Sequence, residues 1–293
     1  MRYTNLQPIL AAVILSALVA CGGEEESKPG SGPIVTSPSP PPTQTASQYP
    51  PAPFGLESGE QFQLVGWIMV DGEMTSQRSD EVSFAWGLDP DTYRLTLPEI
   101  DDGRLIYTFP DNQNAFTIVK PDGAEADVAA SVITGRLFAM RFESIGQLHV
   151  YHRSDGSEVG TLLFGIETPL ANIPSQGRRI FRFDQSGRPF DIEIDFATGI
   201  VTGTVAIAYT DAWGPYEPKF MEIFNGRYDR TTGEITASFA LDETEIEGVL
   251  NGRFMGPRSD ELALAVSGPV FDPYTNQYTR QWFVQPGIYC AEC

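Results

Sequence analysis

The sequence predicts an all-β protein in which an irregular β domain is followed by an eight-stranded antiparallel β-barrel. Three observations predict it. From Leu56 onward helical periodicity is nearly absent, and short stretches of alternating apolar and polar residues are separated by turn signals. Residues 173–293 hold eight such stretches joined by short turns, the pattern of a small closed barrel whose interior is filled by side chains. The polar positions of these stretches are often charged, so the outer face meets water. A transmembrane barrel would need an apolar outer band instead.

The chain opens with a leader, residues 1–20. Arg2 supplies a positive start, and residues 9–20 form an apolar run of signal-peptide length, too short to span a bilayer comfortably. It closes on Leu18-Val19-Ala20-Cys21, which resembles the lipobox of bacterial lipoproteins. The resemblance implies cleavage before Cys21, lipidation of that cysteine with acyl chains such as palmitate, and an anchored mature protein. Gly22 and Gly23 follow with no Asp. In Gram-negative lipoproteins that absence implies passage to the outer membrane, at the cell surface or facing the periplasm.

Residues 21–55 read as a disordered tether. Glu24-Glu25-Glu26 opens it, and Ser37-Pro38-Ser39-Pro40-Pro41-Pro42 lies at its centre. Such composition buries no core and favours polyproline II, in which about 3.1 Å per residue carries the folded part on the order of 90 Å from its anchor.

The first β domain is expected over residues 56–172, with strands at 63–70, 82–86, 93–97, 104–109, 115–119, 135–141, 147–152 and 160–164. Its breaks are Asp89-Pro90, Asp101-Asp102-Gly103, Pro121-Asp122-Gly123 and Ser154-Asp155-Gly156. Asp-Gly favours tight turns because Gly accepts positive φ. The uneven spacing predicts an irregular domain.

The barrel is expected over residues 173–293, with strands at 178–183, 190–196, 200–209, 219–228, 234–241, 245–253, 261–267 and 279–284. In the second, Ile192, Ile194 and Phe196 alternate with Asp191, Glu193 and Asp195. In the fifth, Ile235, Ala237, Phe239 and Leu241 alternate with Glu234, Thr236 and Ser238. Turns are expected at Ala197-Thr198-Gly199, at 229–233 and at Asp242-Glu243.

Nineteen Lys and Arg against 39 Asp and Glu set a formal charge of −20. Phosphate backbones and anionic lipid are both repelled, so no nucleic-acid partner is expected and acyl chains must do the anchoring. Of the three cysteines, lipidation consumes Cys21. Cys290 and Cys293 remain, and in an oxidising compartment a small terminal disulfide is expected. Neither a helix N-terminus nor a second CxxC supports a redox or zinc role.

One further pattern concerns the barrel. Gly252-Arg253-Phe254-Met255-Gly256-Pro257-Arg258-Ser259-Asp260-Glu261-Leu262 resembles the signature GxFxGPxAxEL of the barrel domain of transferrin-binding protein B, a family of bacterial surface lipoproteins. Residues 191–196 with Gly199 and Thr202-Gly203-Thr204 resemble that family's hairpin. Residues 165–169 and 173–177 resemble its junction between handle domain and barrel. The departures are Ser259 for the usual Ala, Ala263-Leu264 for a Gly-Gly step, and Arg178-Arg179 where small residues and tyrosine are frequent. The resemblance implies a handle-like first domain, loops that bind a host protein or haem at the cell surface, and no catalysis. It implies structural roles for Gly252, Phe254, Gly256, Pro257 and Glu261: tight backbone geometry, packing, a turn, and satisfaction of backbone donors or an Arg.

Candidate binding loops follow from aromatics near charged residues: Trp213 and Tyr216 in one loop, Tyr274 in another. His149 and His152 are the two histidines. Three apart on a strand, they face opposite ways and cannot share an ion. No cofactor is expected. The alternatives are haem or metal capture, with haem held by a single axial histidine, or a periplasm-facing structural envelope protein. The acidic group Asp242, Glu243, Glu245 and Glu247 reads as a solvated hairpin, and no nucleophile elbow, zinc-protease motif or phosphate loop is present.

Overall fold

A computed structural model describes residues 61–70, 73–76, 82–86, 93–97, 100–107, 115–137, 140–185, 188–207, 219–241, 246–272 and 277–289. All lie within one compact unit, Ser47–Cys293. They form a nine-stranded antiparallel sheet and a closed eight-stranded antiparallel barrel.

The sheet contains β1 (Gln63–Val70), β2 (Glu73–Ser76), β3 (Ser83–Trp86), β4 (Tyr93–Leu97), β5 (Ile100–Tyr107), β6 (Ala115–Val119), β7 (Glu125–Leu137), β8 (Met140–His152) and β9 (Glu158–Gly165). Its spatial order is β2-β1-β9-β8-β7-β6-β5-β4-β3. The run β3 to β9 is a meander, and β1 returns beside β9. The start of β1 also reaches the far edge: Phe62 N–H donates to Phe84 O at 2.8 Å, and Gln61 bridges Ala85. The sheet therefore curls around a core in which Phe62, Phe84, Tyr93 and Phe164 pack ring on ring.

Two expectations are corrected here. Residues 135–141 are not one strand. They span the end of β7 and the start of β8, which pair antiparallel. Gly135 takes φ of 78° and breaks the β7–β8 register, so the apolar residues around it straddle a hairpin. Asp101-Asp102-Gly103 is not a turn but lies within β5. Gly103 serves close approach instead: a Cβ there would meet Ile118 Cγ2 at 2.7 Å and Leu95 O at 3.0 Å. The turns at 121–123 and 154–156 do form, each with its Asp accepting a backbone N–H two residues on.

The barrel contains β10 (Arg178–Gln185), β11 (Arg188–Asp195), β12 (Ile200–Ile207), β13 (Lys219–Tyr228), β14 (Glu234–Ala240), β15 (Glu247–Met255), β16 (Glu261–Asp272) and β17 (Gln277–Tyr289). Each strand pairs with the next, and β10 pairs with β17 to close the ring. The predicted alternation governs it. Ile192, Ile194, Phe196, Ile235 and Phe239 are fully buried inside. Arg178, on the outer wall, pairs with Glu193 and Asp195. This wall is charged and the interior apolar, the inverse of a membrane-spanning barrel. Phe181, Phe196, Tyr228 and Phe254 meet across the interior with centroids 5.4 to 5.8 Å apart, so side chains fill it.

A third apolar cluster joins the two parts. Val65 and Trp67 of β1, Phe142 and Ile145 of β8 and Leu163 of β9 pack on Met255, Ala263, Ala265 and Val284 of the barrel wall. Strands β7 and β8 are long because their ends extend toward this contact, with Leu137 and Phe142 inside it.

Candidate functional site at the junction and the barrel ends

The residues of the 252–262 pattern converge where the sheet meets the barrel. β15 ends at Met255 and β16 begins at Glu261, so the intervening turn sits at the barrel rim. Phe254 points inward and is 1% exposed. Gly252 lies opposite Leu264, and a Cβ on Gly252 would meet the backbone O of Ala263 at 2.9 Å. Gly256 adopts φ of 81°, and a Cβ there would meet Ser144 Oγ at 2.5 Å. Glycine is needed at this position for both conformation and space. The carbonyl of the exposed Pro257 accepts from Asn172 Nδ2 at 3.0 Å.

Residues 166–168 run along the end of β15 as they leave the sheet. Gly256 N–H donates to Ile166 O at 2.8 Å, Thr168 N–H to Phe254 O at 3.0 Å and the Thr168 hydroxyl to Gly256 O at 2.6 Å. Arg253 Nη1 reaches Glu167 Oε1 at 2.6 Å. A single 3₁₀ turn, Leu170–Asn172, then leads toward the first barrel strand.

Glu261 opens β16 at this junction. It is 3% exposed and lies on the outer face of β16, with Ala263 and Ala265. Glu143 N–H donates to its Oε1 at 2.5 Å and Ser144 N–H to its Oε2 at 2.8 Å, so a barrel carboxylate satisfies two donors of the sheet. Burial pushes its proton affinity up. The two backbone hydrogen bonds oppose that rise, and the nearby Asp260 and Glu143 add to it.

The histidines lie away from this junction. His149 sits between the buried Leu148 and Val150, on the opposite face of β8. Its Nε2 is 3.1 Å from Glu158 Oε1, an oxygen that also accepts from the Thr161 hydroxyl. His152 ends β8, where its backbone closes the 153–157 turn. Among the described residues, no three His, Cys, Asp or Glu side chains form a metal-holding set.

The other sequence-based candidates, Cys21, Trp213, Tyr216, Tyr274, Cys290 and Cys293, lie outside the described residues. The strand ends that flank the aromatic loops are described. Because the barrel strands alternate in direction, the connections β10–β11, β12–β13, β14–β15 and β16–β17 all leave from one end. The turn 256–260 and the hairpins at 196–199 and 229–233 occupy the other. Topology thus places the exits of segments 208–218 and 273–276 at the barrel end away from the junction.

A feature not singled out in the sequence lies on β13. Phe220, Glu222 and Phe224 alternate with Met221 and Ile223, and both phenylalanines are exposed on the outer wall. Apolar residues on both faces of this strand were the available signal.

No protein-family model matches the chain, and no curated protein matches it. The chain is similar to solved structures of transferrin binding protein B. A double mutant of that protein from Haemophilus parasuis matches at 10% identity and a TM-score of 0.46, over 78% of this chain and 45% of that one. Intact Ap-TbpB, with N and C lobes, matches at 10% identity and 0.41, over 78% and 46%. Transferrin binding protein B from serogroup B Neisseria meningitidis matches at 13% identity and 0.32, over 76% and 60%. The chain spans less than half the length of the first two.

Proposed function

We propose that this chain is an outer-membrane lipoprotein, anchored through Cys21, that binds an external protein or cofactor through its loops. The sheet and barrel act as the frame. The observation that carries the reading is the barrel itself. Its interior is filled by Phe181, Phe196, Phe239 and Phe254, each no more than 1% exposed, so recognition falls to outer surfaces and connections. Topology supports the same assignment, because the segments with Trp213 and Tyr216 and with Tyr274 leave the barrel from a common end. The filled interior also favours binding by loops over an enclosed small-molecule site.

Protease shaving of intact cells, with a periplasmic protein as leakage control, tests the orientation. Loss of the folded region supports surface display. Protection, with the protein still in the outer-membrane fraction, overturns surface display in favour of an envelope role. Pull-down from host fluids and growth medium then tests binding. Haem capture is tested separately: a Soret shift on titration that vanishes in His149→Ala or His152→Ala supports it, and no shift in the native protein rejects it.

A further inference from the structure

We propose that the Glu261 carboxylate is a pH-responsive clasp that docks the nine-stranded sheet on the barrel wall, and that taking up a proton tightens the docking. The geometry carries this. Glu261 is 3% exposed within an apolar contact made by Phe142, Ile145, Met255 and Ala263. Its two hydrogen bonds come from the Glu143 and Ser144 N–H groups of β8, and among the described residues no cation pairs with it. An ionised carboxylate in such a place carries a desolvation cost that two neutral donors only partly offset.

The charged groups around it are accounted for on each side. From the junction turn Asp260 adjoins it, from β8 comes Glu143, and both carboxylates oppose its ionisation. From the turn comes Arg258, whose guanidinium is held by Asp260 at 2.9 Å and by Glu143 at 3.5 Å. From β15 comes Arg253, engaged by Glu167 and Glu234. From β10 comes Arg179, engaged by Ser259. β17 contributes Ile288 as register partner, followed by Tyr289. Burial and the two neighbouring carboxylates raise the proton affinity of Glu261 above the ordinary 4.5, and the backbone donors limit the rise.

The sign follows. The docked state holds the proton more tightly than the undocked one. The contribution to docking is therefore complete below pH 4.5 and is lost as pH rises through the elevated docked value. The sheet and the barrel each keep an apolar core of their own, so loosening exposes the contact between them and leaves those cores closed.

Hydrogen exchange on the full chain between pH 4.5 and 7.5 tests the clasp, with rates corrected for intrinsic pH dependence. Protection of the Glu143 and Ser144 amides should fall toward neutral pH, as the docked carboxyl gives up its proton. Amides of β12–β14 should hold constant. Glu261→Gln should abolish the pH dependence at these two amides. Glu143→Gln removes an exposed neighbouring charge but keeps its N–H, and should move the transition to lower pH. Flat protection in the native chain overturns the proposal, as does an unchanged profile in Glu261→Gln. Should that variant fail to fold, an unmoved transition in Glu143→Gln overturns it.

Discussion

Arg179 donates through Nη1 to both Ser259 O, at 2.8 Å, and Ser259 Oγ, at 2.9 Å, joining the first barrel strand to the junction turn. Its guanidinium also lies 5.0 Å from the Tyr289 ring and 6.0 Å from that of Phe196. Ser259 takes φ of 55°, a left-handed conformation unusual for a residue with a side chain, while fully buried. Both residues are departures from the family pattern that the sequence resembles, and they are each other's partners. The Ser259 hydroxyl, where the pattern has a methyl, supplies an acceptor for the Arg179 guanidinium.

Removing either side chain should weaken this joint without orphaning the other: Ser259→Ala leaves Arg179 on the Ser259 and Arg258 carbonyls, and Arg179→Ala leaves the Ser259 hydroxyl on Arg258 O. Ser259→Ala is expected to cost about 1 kcal/mol, the worth of a lost hydrogen bond. Arg179→Ala should cost more, about 2 kcal/mol, because it also strips a donor from Ser259 O and the contact with Tyr289. Urea denaturation of the two single variants and the double variant checks this. Strict additivity would show that the contact contributes no coupling.

The turn conformation at Gly256 gives a second expectation. Gly256→Ala should destabilise by more than about 1 kcal/mol, since φ of 81° disfavours a side chain and Ser144 blocks the space. In a Ser144→Gly background, where Oγ and Cβ of the neighbour are gone, the added cost should shrink to the conformational part. Thermal melts of the four proteins measure it, and an equal cost in both backgrounds would exclude the steric part.

Phe254→Ala should be the most damaging single change in the pattern. The ring is 1% exposed and contacts Phe181, Phe196 and Tyr228. Truncation of such a ring leaves a cavity and costs about 3–5 kcal/mol. A midpoint shift in urea equivalent to less than about 1 kcal/mol would show that the barrel rim collapses onto the space.

Glu158 should make the sheet acid-sensitive. Burial opposes its ionisation, but hydrogen bonds from His149 and Thr161 and the charge of His149 together outweigh that and hold the carboxyl below its ordinary 4.5. A depressed value means stability that is present above pH 4.5 and lost as pH falls through the folded-state value. His149→Ala should flatten the acid limb of a melting-temperature profile. An unchanged profile below pH 4.5 would show that the pair contributes nothing.

The all-β class, most strands and the charged outer wall of the barrel were legible in the sequence, because alternation is a local property. Ile192, Ile194 and Phe196 against Asp191, Glu193 and Asp195 specify which face turns inward without reference to any other strand. The same local logic failed at Gly103, where Asp-Gly signals a turn in isolation but a close approach of Ile118 and Leu95 makes it strand. It failed at residues 135–141 because apolar residues on both sides of a hairpin read as one run.

What the sequence by itself determined, then, is periodicity and the identity of the special residues: glycines that allow positive φ, a carboxylate set beside an apolar strand, and a cysteine after small residues. Only the tertiary structure decided what those residues meet. Glu261 and Ser144 are 117 positions apart, and Arg179 and Ser259 are 80. Their pairing depends on closure of the barrel and on docking of the sheet against it. Hydrogen-bond partners at such separations are chosen by how whole sheets pack, and no local pattern records that choice.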